Sequence, residues 1–318
     1  MVWALPPRLP RRALGRLAPT EAEGRVNGLW FIAIGAGLYF ALIVGVIAWA
    51  RWQRKTRWPF KLDDKLLRGP GEHLRKRLGE IEERFLFECF GGLTAVLLTL
   101  GLFGDTFRRL FGWTPGVASA LAITAVLVVM AVSLWRIRRL WEERANHYLG
   151  WFGERLVGEQ LQVAAVQGWR IFHDVPCPLG NIDHVAVGPG GVFVIETKTR
   201  RKGNARPGFD DNKVYFDGRD LVWPWGEDNH GLEQAERNAV WLSSHIKAEV
   251  DERVDVSPIL ALPGWWLEMK PMRESRLCRV VNPKWLPSLL AKERVLLNPK
   301  QVDLIALRLE ARCRDVEE

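Results

Sequence analysis

The run from Gly28 to Ala50, GLWFIAIGAGLYFALIVGVIAWA, contains no charged residue. Its length suits a helix crossing the hydrocarbon layer of a membrane, because a helix rises about 1.5 Å per residue and satisfies its own backbone in lipid. Arginines precede it, and Arg51, Arg54, Lys55 and Arg57 follow it. A cleaved signal peptide ending at AWA is the alternative; the length of the apolar stretch favours a retained anchor. Pro115 to Trp135, PGVASALAITAVLVVMAVSLW, is an equally good span, closed by Arg136, Arg138 and Arg139. Phe85 to Phe103 is a shorter candidate that holds Glu88. These runs predict a basic N-terminal segment over 1–27 and an α-helical membrane region over 28–150. That region would contain two or three transmembrane helices, at 28–50, 85–103 and 115–135.

Charge distribution bears on orientation. The 318 residues carry a formal net charge of +8, but residues 1–150 hold 22 Lys and Arg against 12 Asp and Glu, whereas residues 151–318 hold 23 against 25. The basic excess therefore lies beside the apolar runs, where Lys and Arg set topology, and is not a nucleic-acid footprint. The loop from Arg51 to Arg84 is densely basic, while that from Asp105 to Thr114 has only Arg108 and Arg109. The first is expected in the cytoplasm and the second outside, which puts everything after Arg136 in the cytoplasm. The resulting expectation is an integral protein of a bacterial inner membrane with a cytoplasmic C-terminal domain. With three spans the arginines before Gly28 would lie outside, against the rule; with two, that conflict disappears. Cys89, Cys177, Cys278 and Cys313 show no zinc-ligand spacing and read as reduced structural thiols.

From about Trp151 the pattern becomes mixed α/β. A helix is expected over Gly153–Gly168, where Leu156, Val163 and Val166 recur at helical spacing. Strands are expected at Arg170–Val175, Ile182–Val187 and Val192–Lys198. Lys213–Phe216 and Arg219–Trp223 flank an Asp-Gly hairpin signal. A helix over His230–Val250, strands at Ser257–Leu262 and Cys278–Val281, and a last helix capped by Asn298 complete the domain.

The chemistry concentrates in NIDHVAVGPGGVFVIETKTR, Asn181 to Arg200. A turn within GPGG pairs Val187 with Val192, Val185 with Val194 and Asp183 with Glu196. Alternation then puts Asp183, Glu196 and Lys198 on one face of a hairpin that is apolar on both faces. Directly opposed carboxylates repel, more so away from water. The repulsion can be relieved by a proton on one acid, by Lys198, or by a divalent cation between them; a buried Glu–Lys bridge is the purely structural reading. Glu159 falls in the sector of the apolar stripe of the first helix, and Gln234 in an inward sector of the later helix with Asn238, Trp241 and His245. His184 lies on the opposite hairpin face and reads as packing. Arg200, Arg201, Lys202, Arg206 and Lys213 are candidate phosphate contacts, with a solvated loop the alternative. Trp223 and Trp225 could stack on bases, though sheet packing suits them better.

GERLVGEQL from Gly153, IDHVAVGPGGVFVIETKT from Ile182 and EQAERNAVWL from Glu233 resemble the nuclease-related domain (NERD) family. That family is similar to the PD-(D/E)-x-K restriction-endonuclease-like superfamily. The resemblance implies a mixed central sheet flanked by helices, a magnesium cofactor (Mg2+, with Mn2+ as a substitute) and nucleic acid, DNA or RNA, as partner. By position, Asp183 matches the first acid of the superfamily, Glu196 and Lys198 the (D/E)-x-K pair, Glu159 the helix glutamate and Gln234 the polar residue of the following helix. Asp183, Glu196 and Glu159 are thereby the implied metal ligands. Ile182 stands where the superfamily name has proline. The expectation is a membrane-anchored, metal-dependent nuclease that hydrolyses phosphodiester bonds; a catalytically inactive, membrane-tethered module binding nucleic acid or protein is the alternative.

Overall fold

The computed structural model describes residues 38–39, 41–43, 45–50, 52–53, 65–101 and 110–316, apart from 179, 204, 252 and 272–275. The expected span Gly28–Ala50 lies largely outside the described residues; 38–39, 41–43 and 45–50 of it are helical. The chain divides into two units, Met1–Leu62 and Asp63–Glu318. The second contains everything that follows.

Two long helices open this unit, α1 (Glu72–Gly101) and α2 (Pro115–Val166). Arg77 pairs with Glu143 at 3.0 Å, Glu82 with Arg144 at 2.8 Å and Glu88 with Arg136 at 3.5 Å. The partners run in opposite directions along the two helices, so α1 and α2 form an antiparallel hairpin. Glu88, the acid inside an expected span, thus has a cationic partner. Gly92 lets the backbones approach, since a Cβ there would stand 2.9 Å from the Ser133 hydroxyl. Around this contact the apolar side chains are exposed, among them Phe87, Phe90 and Leu97 on α1 and Leu127, Val128 and Leu134 on α2. Among the described residues, one helix, α2, is long and apolar enough to cross a membrane by length and composition.

Helix α2 does not stop at the expected domain boundary. It has 52 residues, and its last turns form the helix expected from Gly153. The buried stripe there is Gly153, Glu154, Val157, Gly158, Leu161 and Ala164. This corrects the expected phase: Val163 and Val166 are exposed, and so is Glu159. The apolar-residue count misled because small residues, Gly153, Gly158 and Ala164, share the inward face with Val157 and Leu161. A Cβ on Gly153 would lie 2.0 Å from the Thr199 methyl, and one on Gly158 would lie 2.6 Å from the Pro70 ring. The helix sits closer to its neighbours than a larger side chain permits.

The central sheet has five strands in the order β10-β8-β4-β3-β2. They are β2 (Arg170–Cys177), β3 (Gly180–Gly188), β4 (Gly191–Thr197), β8 (Val256–Ala261) and β10 (Arg279–Val281). β2, β3 and β4 are antiparallel neighbours, while β4, β8 and β10 run parallel, so the sheet is mixed. The hairpin register is the expected one, with Val185 opposite Val194 and Val187 opposite Val192; Gly188 opposite Gly191 leaves a two-residue turn of Pro189 and Gly190. Both faces are covered, as strands apolar on both sides require. On one face Val157 and Leu161 of α2 and Leu286 and Leu290 of the short helix α4 (Leu286–Ala291) pack on Ala186, Phe193 and Ile195. On the other, Ala239 and Leu242 of α3 (His230–Val250) and Ile305 and Leu309 of α5 (Pro299–Cys313) pack on Val185, Val187 and Val194.

A second mixed sheet, β7-β6-β5-β9, comprises β5 (Lys213–Phe216), β6 (Leu221–Trp223), β7 (Gly226–Glu227) and β9 (Trp266–Met269). β6 begins at Leu221 rather than Arg219 because the Asp217 carboxylate accepts the N–H groups of Arg219 and Asp220, at 3.1 and 2.8 Å. Asn298 caps α5 as expected, within a capping box completed by Gln301. Finally β1 (Leu66–Leu67) pairs with β11 (Arg314–Val316). That pairing lays the segment before α1 beside β2, where it reaches the site described next.

Gly158→Ala should destabilise the unit by about 1–3 kcal/mol, because the added methyl meets a rigid proline ring and neither backbone can retreat freely. Chemical denaturation monitored by circular dichroism measures this. An unchanged midpoint would show that the α2–Pro70 contact is looser than described.

Candidate functional site

Three adjacent strands present acids side by side. Asp183 of β3 and Glu196 of β4 follow from the hairpin register, and both are buried. Asp174 of β2 stands opposite Asp183, where the β2–β3 ladder skips a rung. Asp174 is a non-glycine residue at φ 52°, a conformation that costs of order 1 kcal/mol and needs surrounding contacts to hold it. Those contacts come from the segment leading into α1. Arg68 donates to the Asp174 carbonyl at 3.0 Å and to its carboxylate at 3.1 Å, and the His73 backbone N–H donates to the same carboxylate at 3.1 Å. The His73 ring nitrogen Nδ1 also bonds to Asp174. The carboxylate therefore caps the first turn of α1 while that turn fixes Asp174.

A fourth acid arrives on α2. Glu154 is buried, and its Oε2 has no hydrogen-bond partner. It feels the charges of Asp183, Asp174 and Glu196. The structure therefore brings Glu154, not Glu159, to the cluster. Glu159 lies on the solvent side of α2, its nearest ionic partner being Arg155 at 3.9 Å. The expectation that Glu159 points inward is overturned by the phase of the helix. Sequence reasoning missed Glu154 and Asp174. The signal for Glu154 was its position next to Gly153 and four residues before Gly158, the small residues that mark the close-packed face.

Lys198 follows β4 directly, its N–H bonded to the Ala261 carbonyl of β8 at 3.0 Å. Its Nζ lies 3.9 Å from Glu196 Oε1 and donates to Gln234 Oε1 of α3 at 3.2 Å. One turn further along α3, Asn238 Nδ2 donates to Glu196 Oε2 at 3.4 Å. Asp183 Oδ2 accepts the Thr197 backbone N–H at 2.7 Å. Asp183, Glu196, Lys198 and Gln234 are thus gathered in one place. His184, read as packing, is fully buried on the other face, with His173 Nδ1 at 2.8 Å from its own Nδ1.

The electrostatics of the cluster follow from burial. Desolvation is the largest influence on each acid and pushes all three up: Glu154 to about 10, Asp183 to about 6, and Glu196 well above the usual carboxyl range. Neighbouring carboxylates add to the rise of Glu154 and Glu196, while Lys198 lowers Asp183 and Glu196 without cancelling it. His73 is raised by its bond to Asp174, against its own desolvation. The site holds more negative capacity than its cations neutralise. Among the described residues no three His, Cys, Asp or Glu side chains are set to hold one ion together. A cation would rest on Asp183 and Glu196, which suits magnesium, commonly bound by one or two carboxylates with water and phosphate oxygens.

Of the basic residues near the hairpin, Arg200 is paired with Asp228, and Lys213 with Asp210 at 2.7 Å and Glu268 at 3.5 Å. Trp223 is buried in the core under the second sheet, and Trp225 stacks on it at 5.5 Å, so sheet packing accounts for both.

A raised carboxyl pKa favours the folded state below the ordinary carboxyl range of about 4, and that contribution is lost as pH rises through the folded value. Asp183 passes through this window at about 6 and Glu154 at about 10. With divalent ions chelated, the melting temperature should fall as pH rises across this range. Glu154→Gln should remove the alkaline part of the fall. A melting temperature independent of pH in the wild type would contradict the burial of these acids.

No curated protein and no solved structure matches the chain. Residues 149–263, which include Glu154, Asp174, Asp183, Glu196, Lys198 and Gln234, match the family model NERD, the nuclease-related domain.

Proposed function

We propose that the chain is a membrane-anchored, metal-dependent nuclease that hydrolyses phosphodiester bonds in nucleic acid. The observation that carries this reading is the buried pair Asp183 and Glu196 with the Lys198 ammonium 3.9 Å from Glu196. The orphaned Oε2 of Glu154 and the raised carboxyls suit a site that would take a cation. The mixed sheet with helices on both faces agrees with a restriction-endonuclease-like core.

Asp183 and Glu196 would hold Mg2+ or Mn2+, and Glu154 takes the part assigned by resemblance to Glu159. A bound divalent ion would lower the pKa of a water and offset charge developing on the phosphate. Lys198, steadied by Gln234, would activate the water or offset charge on the phosphate. Asn238 orients Glu196 through its amide. The Thr197 N–H holds Asp183 toward the same space. The Asp174–His73 pair braces the open side of the cluster from outside the hairpin.

Anchoring is supported by the exposed apolar faces of α1 and α2 and by the arginines at 136, 138 and 139. The alternative is an inactive tethered module. Calorimetric titration of the full chain with magnesium separates the two, with heat expected from the nuclease and none from the inactive module.

Glu196→Ala and Lys198→Ala should each lower the cleavage rate at least about 100-fold on a panel of DNA and RNA substrates with divalent metal. Glu154→Ala should also lose activity, while Glu159→Ala should keep the wild-type rate. Wild-type rates in Glu196→Ala and Lys198→Ala would remove the enzymatic reading. Alkaline carbonate should leave the chain in the membrane pellet; release into the supernatant would remove the anchor.

A further inference from the structure

A groove begins beside the acid cluster and is lined by none of the residues assigned a part there. Its near end is a cavity of about 340 Å3 bordered by Leu156 and Gln160 of α2, Lys202, Trp266 and Lys284. It shares Trp266, Asn282 and Lys284 with a second cavity of about 690 Å3, bordered by Met269, Val280 and Trp285. The two therefore adjoin at Trp266, Asn282 and Lys284. The groove starts close to the acids because Gly153, adjacent to Glu154, packs on Thr199 and Pro263, and Pro263 is also part of the groove wall. Gln160 is six residues beyond Glu154 on the same helix, about 9 Å along the axis.

The chemistry of the groove is specific. Trp266 and Trp285 are each 67% exposed, an unusual state for the largest side chain in a domain that buries Trp169, Trp223 and Trp265. No Asp or Glu lines either cavity, although residues 151–318 carry more acids than bases. Lys202 and Lys284 stand on the rim, and among the described residues neither is in an ion pair. Exposed indole faces between unpaired ammonium groups are complementary to a chain with flat apolar faces and a regularly spaced anionic backbone. An unpaired nucleic-acid strand has both, whereas a duplex keeps its base faces inside the stack.

We propose that the Trp266–Trp285 groove binds the bases of a single-stranded nucleic acid, with Lys202 and Lys284 on its phosphates, and leads that strand toward Glu154, Asp183 and Glu196. The inference rests on the nuclease reading for its purpose but not for its test. Binding requires no metal and no intact acid, so it is measured with EDTA present.

The test uses the purified full chain at fixed salt and fluorescence anisotropy with a labelled oligothymidine and a duplex of equal length. The single strand is expected to bind more tightly. Trp266→Ala and Trp285→Ala should each weaken it about 5- to 100-fold, as loss of one stacked base predicts. Lys202→Gln and Lys284→Gln should each reduce the salt dependence of binding. Both tryptophans are exposed, and far-ultraviolet circular dichroism checks that the variants fold. Equal affinity of the tryptophan variants for the single strand, or a wild-type preference for duplex, would overturn the proposal. So would sedimentation showing a dimer that Trp266→Ala dissociates while oligonucleotide affinity stays unchanged, since the groove would then hold a second copy. Normal single-strand binding by a protein that cleaves nothing would leave the groove standing and remove the nuclease; cleavage without single-strand preference would do the reverse.

Discussion

Asp183 and Glu196 are buried on neighbouring strands of one hairpin, where burial raises the pKa of both acids and the charge of Asp183 raises Glu196 further. Everything else in the domain is consistent with that juxtaposition. The register is locked because a slip of one residue would carry the valines at 185, 187, 192 and 194 away from the helices that cover them. The acids are therefore held together by the packing of their apolar neighbours, and the surrounding chain must manage the repulsion. It does so with a backbone N–H from Thr197, an amide from Asn238 and one ammonium from Lys198, and burial still holds Glu154, Asp183 and Glu196 above the usual carboxyl range.

The cluster also draws on residues well before the matched segment, which begins at residue 149. Asp174 adopts a left-handed backbone conformation that its own strand does not stabilise. The Arg68 guanidinium and the first turn of α1 hold it, and β1 keeps that segment in place by pairing with β11 at the far end of the chain. The brace and Asp174 are separated by more than one hundred residues in sequence. The hairpin of long helices between them thus has both of its ends fixed to the site, one through His73 and the other through Glu154.

Most of the sheet was legible because its signals are local. The alternation of valines on either side of GPGG fixed the register, and the Asp-Gly dipeptide marked the β5–β6 turn. The Asn-Pro-Lys-Gln run foretold the capping box of α5. What could not be read was the direction of a helix whose inward face interleaves Gly153, Gly158 and Ala164 with Val157 and Leu161. Close packing selects small residues there, so the stripe of large apolar residues marks the wrong side, and Glu159 was chosen over Glu154. Asp174 was hidden for a different reason: its role depends on Arg68 and His73, distant in sequence. Strands β7 and β9 were missed because they are short and take their order from the pairing of the second sheet.

Helix α2 joins an apolar rod to a reactive carboxyl with no break between them. An α-helix turns 100° per residue, so the azimuth of Glu154 is tied to that of every residue before it. A single amino acid inserted between Trp141 and Gly150 would swing the apolar half a quarter turn or more relative to the acids, and the ion pairs with α1 would be lost with it. Seven inserted residues would bring the two halves back to within about 20° of their present alignment. The spacing along this one shaft is therefore a mechanical specification, and it couples the orientation of the carboxyl to whatever medium surrounds the far end.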